Sequence, residues 1–306
     1  MTHMALVQAL LPVFILILLG HGLRRVNFPD EHFWLGAERF TYYVLFPAML
    51  VYKLGGARLP AEVYGQMAGI VFLLLGIMTV LLLLAQAVIR WAGPVYTSVY
   101  QGGIRFNSYV GLAAASLLYG DEGLSLIAVA AAIMIPLLNL LCILMFAVFA
   151  DRGRVRVAPV LRAVATNPLI LGSLGGMALG LAGTGFHPFV EGVIAPLSEL
   201  ALPLGLMTVG AGLQLKALRN ASGPFLFASL MKLLVFPLLA FAAATWLGMD
   251  AQSVAVVVLL CALPTASSSY ILARQLGGDG PLMAGIISGQ TLLAMITMPL
   301  MLSLSH

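Results

Sequence analysis

Charge is scarce in this sequence. Only 8% of its 306 residues are charged, fifteen Lys/Arg against eleven Asp/Glu. A soluble globular domain has about 25% charged and roughly 45–50% apolar residues. Here 61% are apolar and the mean hydropathy is +1.06. Too few charges remain to solvate a soluble surface. That excludes a cytosolic enzyme, a disordered protein and a secreted disulfide scaffold. Cysteine is scarce too: Cys142 and Cys261 sit inside apolar runs and lack metal-ligand spacing, so both read as buried structural residues. The five histidines form no metal pattern and there is no G-x-S-x-G. Asp279 follows Leu276-Gly277-Gly278, which is not the G-x-G-D of an intramembrane aspartyl protease. Neither enzyme, metal, cofactor nor nucleic-acid partner is expected.

What the chain has instead is long apolar runs. Residues 1–8 contain no Lys or Arg, and the first run ends in Arg24-Arg25. A signal peptide has the opposite order, so 5–23 reads as a retained span. A membrane helix needs about 20 apolar residues. Charges, Gly and Pro divide the sequence into ten such segments: 5–23, 36–54, 63–89, 95–118, 123–150, 168–183, 189–213, 224–247, 252–275 and 281–304. The fold class expected is all-α and integral to the membrane. The longest polar stretch is 151–167.

Basic residues orient the spans. With the N-terminus outside, the cytoplasmic connections hold Arg24, Arg25, Arg90, Arg152, Arg154, Arg156, Arg162, Lys216, Arg219 and Arg274. The outer connections hold only Lys53 and Arg58. This positive-inside asymmetry implies an even number of spans and two non-cytoplasmic termini.

The halves look alike. Pro12 and Pro168 each open a span and are followed eight residues later by Gly20 and Gly176. Pro47 and Pro203 each interrupt the second span of a half. All three pairs are offset by 156. Gly120-Asp121 and Gly278-Asp279 each close a fourth span, at an offset of 158. Five spans per half is odd, so the second half must insert upside down, a common plan of secondary transporters. The expected division is a first five-helix repeat at 1–150, a cytoplasmic linker at 151–167 and an inverted repeat at 168–306.

Two polar interruptions fall at matching depth. Arg105 lies about 15 Å into the fourth span, and Pro264-Thr265 about 18–20 Å into the ninth. They read QGGIRFNSY (101–109) and ALPTASSSY (262–270). Pro and paired Gly weaken a helix. Broken backbone at that depth is tolerated only against protein or a wet cavity. Half-helix N-termini favour anions. A central Arg costs at least about 2.5 kcal/mol, which an anionic substrate could offset; a permanent structural pairing is the alternative. Lys232 is expected to snorkel to the cytoplasmic surface or to pair. Asn139 and Gln290 read as polar glue between helices, and Pro47 and Pro203 as kinks first and site-lining breaks second. Glu191 and Glu199 in the seventh span are the acids well placed to be internal, and Glu199 reads as a proton site or a partner for a base.

The opening LPVFILILLGHGLRR (11–25), YYVLFPAML (42–50), IRFNSYVGLA (104–113) and CALPTASSSYILARQLGGD (261–279) together resemble the auxin efflux carrier family of bacterial permeases, kin of the plant PIN carriers. The resemblance runs along essentially the whole chain. It implies two inverted five-helix repeats whose fourth and ninth helices cross, interrupted, at the substrate site. It also implies transport of small organic anions such as auxin-like acids, malate or malonate across the bacterial inner membrane. Substrate contacts would fall on Arg105, Phe106, Asn107 and Ser108, and on Pro264, Thr265, Ala266 and Ser267. Plant carriers have proline at both crossovers; here only the second does. A homodimer is implied by analogy. The rival reading is a sodium-coupled organic anion symporter of the bile-acid carrier type, against which the shortage of acids counts.

Overall fold

Capping residues turn the apolar runs into helices of defined length. The computed structural model describes residues 3–56, 61–150, 162, 165–183, 185–220 and 223–305. Arg58, Arg152, Arg154, Arg156 and most of the 151–167 stretch lie outside them. All regular structure among the described residues is helical. The helices are α1 (His3–Arg25), α2 (Glu31–Phe40), α3 (Phe46–Gly56), α4 (Ala61–Ile89), α5 (Gly93–Ile104), α6 (Ser108–Phe149), α7 (Pro168–Ala182) and α8 (Pro188–Ala211). There follow α9 (Gly223–Leu230), α10 (Phe236–Trp246), α11 (Ala251–Ala262), α12 (Ser268–Leu276) and α13 (Gly280–Leu302). Asp30, Asn107, Asn167, Asp250 and Asp279 accept amide N–H bonds from the first turns they precede. Each cap satisfies donors that a helix start leaves orphaned.

Two π turns interrupt the second and eighth predicted spans. Thr41–Leu45 joins α2 to α3, and Met231–Val235 joins α9 to α10. Each is followed by Phe-Pro. Proline has no N–H and crowds the carbonyl four residues back, which here is that of Tyr43 or Leu233. The helix widens instead, so Phe46 N–H reaches Thr41 C=O and Phe236 N–H reaches Met231 C=O, five residues back. Proline alone does not suffice: Pro12, Pro136, Pro196, Pro203 and Pro299 sit inside α-helix.

Six helical stretches among the described residues are long and apolar enough to cross a membrane: Met4–Arg25, Glu62–Ile89, Gly93–Phe149, Pro188–Ala211, Gly223–Trp246 and Gly280–Ser305. Gly93–Phe149 is 57 residues long, far more than the roughly 20 one crossing needs. It breaks at Arg105–Asn107 and bends at Gly120 (φ 64, ψ −154). The sequence reading expected a loop near Gly120-Asp121. One glycine in a backbone conformation closed to other residues makes the turn instead.

Small residues set the tightest packing. Gly20 and Gly210 let α1 and α8 touch backbone to backbone: a Cβ on Gly20 would strike Met207 C=O, and one on Gly210 would strike Ile17 C=O. Gly172 and Gly176 do the same for α7 against α3, where added Cβ atoms would lie 2.8 Å from Pro47 Cα and 2.6 Å from Leu50 O. Close approach of this kind is how helices associate where apolar burial gives no drive. Around these pairs a buried apolar core gathers Phe46, Tyr96, Tyr100, Phe146 and Phe236.

Candidate functional site

The two interruptions meet. α5 stops at Ile104, where Arg105 turns extended (φ −73, ψ 155). α11 stops at Ala262, and Leu263 is likewise extended (φ −65, ψ 144). Asn107 N–H then donates to Pro264 C=O at 2.8 Å, tying one break to the other. No proline is present at the first break. Gly102-Gly103 weaken the end of α5, and the Asn107 side chain restarts the helix by accepting from Tyr109 and Val110 N–H. An Asx cap thus replaces proline as the interrupting device.

A buried network locks the junction. Gln290 Nε2 donates to Gly102 C=O at 2.9 Å, and Gln290 Oε1 accepts from Thr265 N–H at 3.0 Å. The Thr265 hydroxyl lies 2.7 Å from Gln290 Oε1 and 3.0 Å from Gly102 O. Its single proton serves one of these at a time. Thr265 and Gln290 are fully buried. α13 therefore supplies, through one glutamine, the partner that both broken strands of backbone need.

Arg105 lies at the edge of this lock, half-buried. Its guanidinium donates to Asn139 Oδ1 at 3.1 Å and to Ser268 Oγ at 3.2 Å. The Cys142 thiol lies nearby. All these partners are neutral, and among the described residues Arg105 has no ion pair. Ser268 opens α12 and Ser108 opens α6. One full positive charge and two helix N-termini, each equivalent to roughly +0.5 charge, thus converge on one side of the junction.

The other predicted residues divide. Phe106, Asn107, Pro264 and Thr265 are buried, whereas Ser108, Ala266 and Ser267 are partly open. Asn139 is more than glue, since it holds Arg105. Gln290 is the centre of the lock. Pro47 packs against Gly172, while its neighbour Phe46 stacks on Tyr109 with ring centres 4.4 Å apart. Glu199 and Pro203 are exposed on α8 rather than internal. Glu191 is exposed too and accepts from Tyr52 OH at 3.2 Å. Lys232 does not snorkel: it is fully buried, with its Nζ 4.6 Å from the Phe236 ring centre. The π turn ahead of Pro237 holds it inward. Sequence reasoning missed Ser268, Gly102 C=O and Cys142. Ser268 stood in a run of three serines whose helical phase could not be read. A carbonyl leaves no sequence signal at all.

Two interrupted helices bonded at their breaks, beside an arginine without an ion pair among the described residues, define a helical protein whose long apolar stretches suit a membrane. The family described as "Membrane transport protein" matches residues 151–302, the second half of the chain. A protein of Rhizobium meliloti named "Putative malonate transporter" is 27% identical over 299 residues, spanning 87% of this chain and 85% of that protein. An "Uncharacterized transporter" of Methanothermobacter thermautotrophicus is 28% identical over 131 residues, which cover 43% of this chain and 41% of that one.

Proposed function

We propose that the protein is a secondary carrier of small organic anions, working by alternating access at the crossover. The observation that carries this reading is Arg105: a guanidinium with only neutral partners, beside the N-terminus of α12. A central arginine costs at least about 2.5 kcal/mol, and a carboxylate offers the bidentate geometry that a guanidinium favours. Asn139 and Ser268 would hold Arg105 aimed, while Ser108, Ala266 and Ser267 would line the open side. Phe106, Asn107, Pro264 and Thr265 would form its wall. Malonate is the first anion to try, because the Rhizobium meliloti relative bears that name.

The architecture that would serve this is ten crossings in two inverted repeats, 1–150 and 168–306, joined through 151–167. Reciprocal packing supports it. Gly20 of the first span abuts α8, and Gly176, its counterpart 156 residues on, abuts α3. An inverted pair would exchange partners in this way. Contacts between distant ends fit the alternation of sides that ten crossings require. Lys53 bonds Asp121 at 2.7 Å on the proposed outer side, while Arg24 donates to Ala211 C=O at 2.6 Å and Asp279 N–H to Pro94 C=O at 3.0 Å on the inner side. On this plan both termini are non-cytoplasmic and the carrier resides in the bacterial inner membrane. An interior-negative potential drives an anion outward at about 2.3 kcal/mol per charge per 100 mV, so export needs no further coupling.

The test is counterflow of labelled malonate, malate, indole acetate and taurocholate in proteoliposomes, with and without sodium. Saturable flux of a small acid that falls at least about tenfold in Arg105→Ala, the cost of roughly 1.4 kcal/mol of lost binding, is expected. Undiminished flux in the variant makes Arg105 structural and removes the case for an anion. Sodium-dependent taurocholate flux would move the protein to the bile-acid carrier type.

A further inference from the structure

Three buried polar atoms without a hydrogen-bond partner among the described residues lie on α5, on α9 and on the π turn that follows α9. Lys232 is fully buried, and its Nζ has no hydrogen-bond partner among the described residues. Ser229 Oγ, one turn earlier, and Gln101 Oε1 are unpartnered as well. The two helices carrying them are in close contact: a Cβ on Gly102 would lie 3.2 Å from Ala228 Cβ. The π turn that bears Lys232 packs on α5, α11 and α13. These are the elements that meet in the Gly102–Thr265–Gln290 lock.

Charges around the amine are few. From α11, Cys261 is its titratable neighbour. α9, α10 and α13 contain no ionisable side chain. α5 contributes Tyr96 and Tyr100, whose hydroxyls are engaged by Met145 Sδ and Thr79 Oγ1. Among the described residues no carboxylate forms an ion pair with Lys232. A permanent ammonium here would be dry, with the face of the Phe236 ring 4.6 Å away to offset its charge only in part, whereas a neutral amine escapes most of that cost. The backbone beside it is also unlike ordinary helix. Pro237 leaves Leu233 C=O without its usual donor, and π turns of this kind recur at functional sites.

We propose that Lys232 is the proton-carrying group of the carrier. While its nitrogen is sealed from solvent, burial favours the neutral amine over the ammonium. When the crossover opens to one side, water reaches the nitrogen and one proton adds to its lone pair. When it opens to the other side, the same N–H bond breaks and the proton returns to water. An anion held by Arg105 and a proton held by Lys232 would then cross together, the proton offsetting one unit of the anion's charge. This rests on the anion-carrier reading above, and Gln101 and Ser229 would bind the water that relays the proton.

The test uses full-length protein in liposomes loaded with a pH-sensitive dye and driven by a malonate gradient. Wild type is expected to move protons in step with malonate. Lys232→Gln is expected to keep malonate counterflow, which shows that it is folded, and to lose the accompanying proton movement. Malonate flux without protons in wild type overturns the proposal, as does unchanged proton movement in Lys232→Gln. If wild type moves no malonate, the carrier reading fails for that anion. The amine is then judged on substrate-free wild type by acetylation with membrane-permeant acetic anhydride near neutral pH. Among the three lysines, modification of Lys232 alongside Lys53 and Lys216 upholds a neutral, water-visited amine. An unmodified Lys232 beside two fully modified lysines overturns it.

Discussion

Arg105 and Lys232 are both basic, both near the junction, and differ in what surrounds them. Arg105 is half-buried among neutral acceptors, so its charge stays available to a ligand. Lys232 is sealed from solvent without an acceptor. Arginine does not give up its proton in proteins, whereas lysine does so readily when desolvated. At the surface, Asp250 shows residue-scale electrostatics in a simpler setting. It caps α11 by accepting from Ser253 N–H at 2.9 Å. Burial pushes its carboxyl up, but hydrogen bonds from Ser253 and neighbouring amides outweigh that and hold it below the usual range. A depressed carboxyl contributes stability that is complete above the unfolded value of about 3.9 and is lost as pH falls through the native one. Melting of wild type and Asp250→Asn, compared from neutral to acidic pH, should therefore show a gap that narrows as pH drops. A gap that widens would mean that the carboxylate is not what stabilises this helix start.

At the scale of elements, the important features are defects. α5 and α11 each stop short, and their loose ends satisfy one another through Asn107 N–H and Pro264 C=O. Phe-Pro widens two helices into π turns. Such defects need rigid surroundings, and the glycine contacts of α1 with α8 supply one. Gly210→Leu would drive a side chain into Ile17 C=O. Overpacking typically costs 1–3 kcal/mol, and a backbone obstacle should put this variant at about 3 kcal/mol or more. Thermal unfolding in detergent should show a clear loss. Gly22→Ala is the control, since nothing lies within 4 Å of its added Cβ; its melting temperature should hold or rise, because alanine favours helix over glycine by about 1 kcal/mol. Equal effects of the two substitutions would refute close α1–α8 contact.

For the whole molecule, the sidedness of the contacts is the testable property. Lys53 and Asp121 meet at one end, and Asp279 meets Pro94 at the other. Cys142 and Cys261 are buried, so single added cysteines should report cleanly. Cysteines at Lys53 and at Asp121 should react with an impermeant maleimide from outside intact cells. One at Arg274 should react only after permeabilisation. Labelling of position 274 from outside would reverse the proposed orientation.

Much of this was legible in the sequence because the membrane enforces simple rules. Apolar length sets a crossing, and Pro, paired Gly and a central Arg at 101–109 and 262–270 mark helices that cannot run straight. Hence the helical class and the location of the junction were readable, and six of the helical stretches among the described residues are long and apolar enough to cross. The partners were not. Asn139, Gln290 and Lys232 all read as isolated polar residues in apolar runs, yet one aims Arg105, one locks the crossover and one is sealed inside. Glu199 read as internal and is exposed. Which face of a membrane helix meets protein depends on rotation about its axis, and an all-apolar helix carries almost no amphipathic signal to fix it. Composition and punctuation by themselves determined that this chain spans a membrane and where its helices must break. Only tertiary packing decided which carbonyls, amides and side chains meet at those breaks, because hydrogen-bond partners are set by three-dimensional proximity between segments more than 150 residues apart.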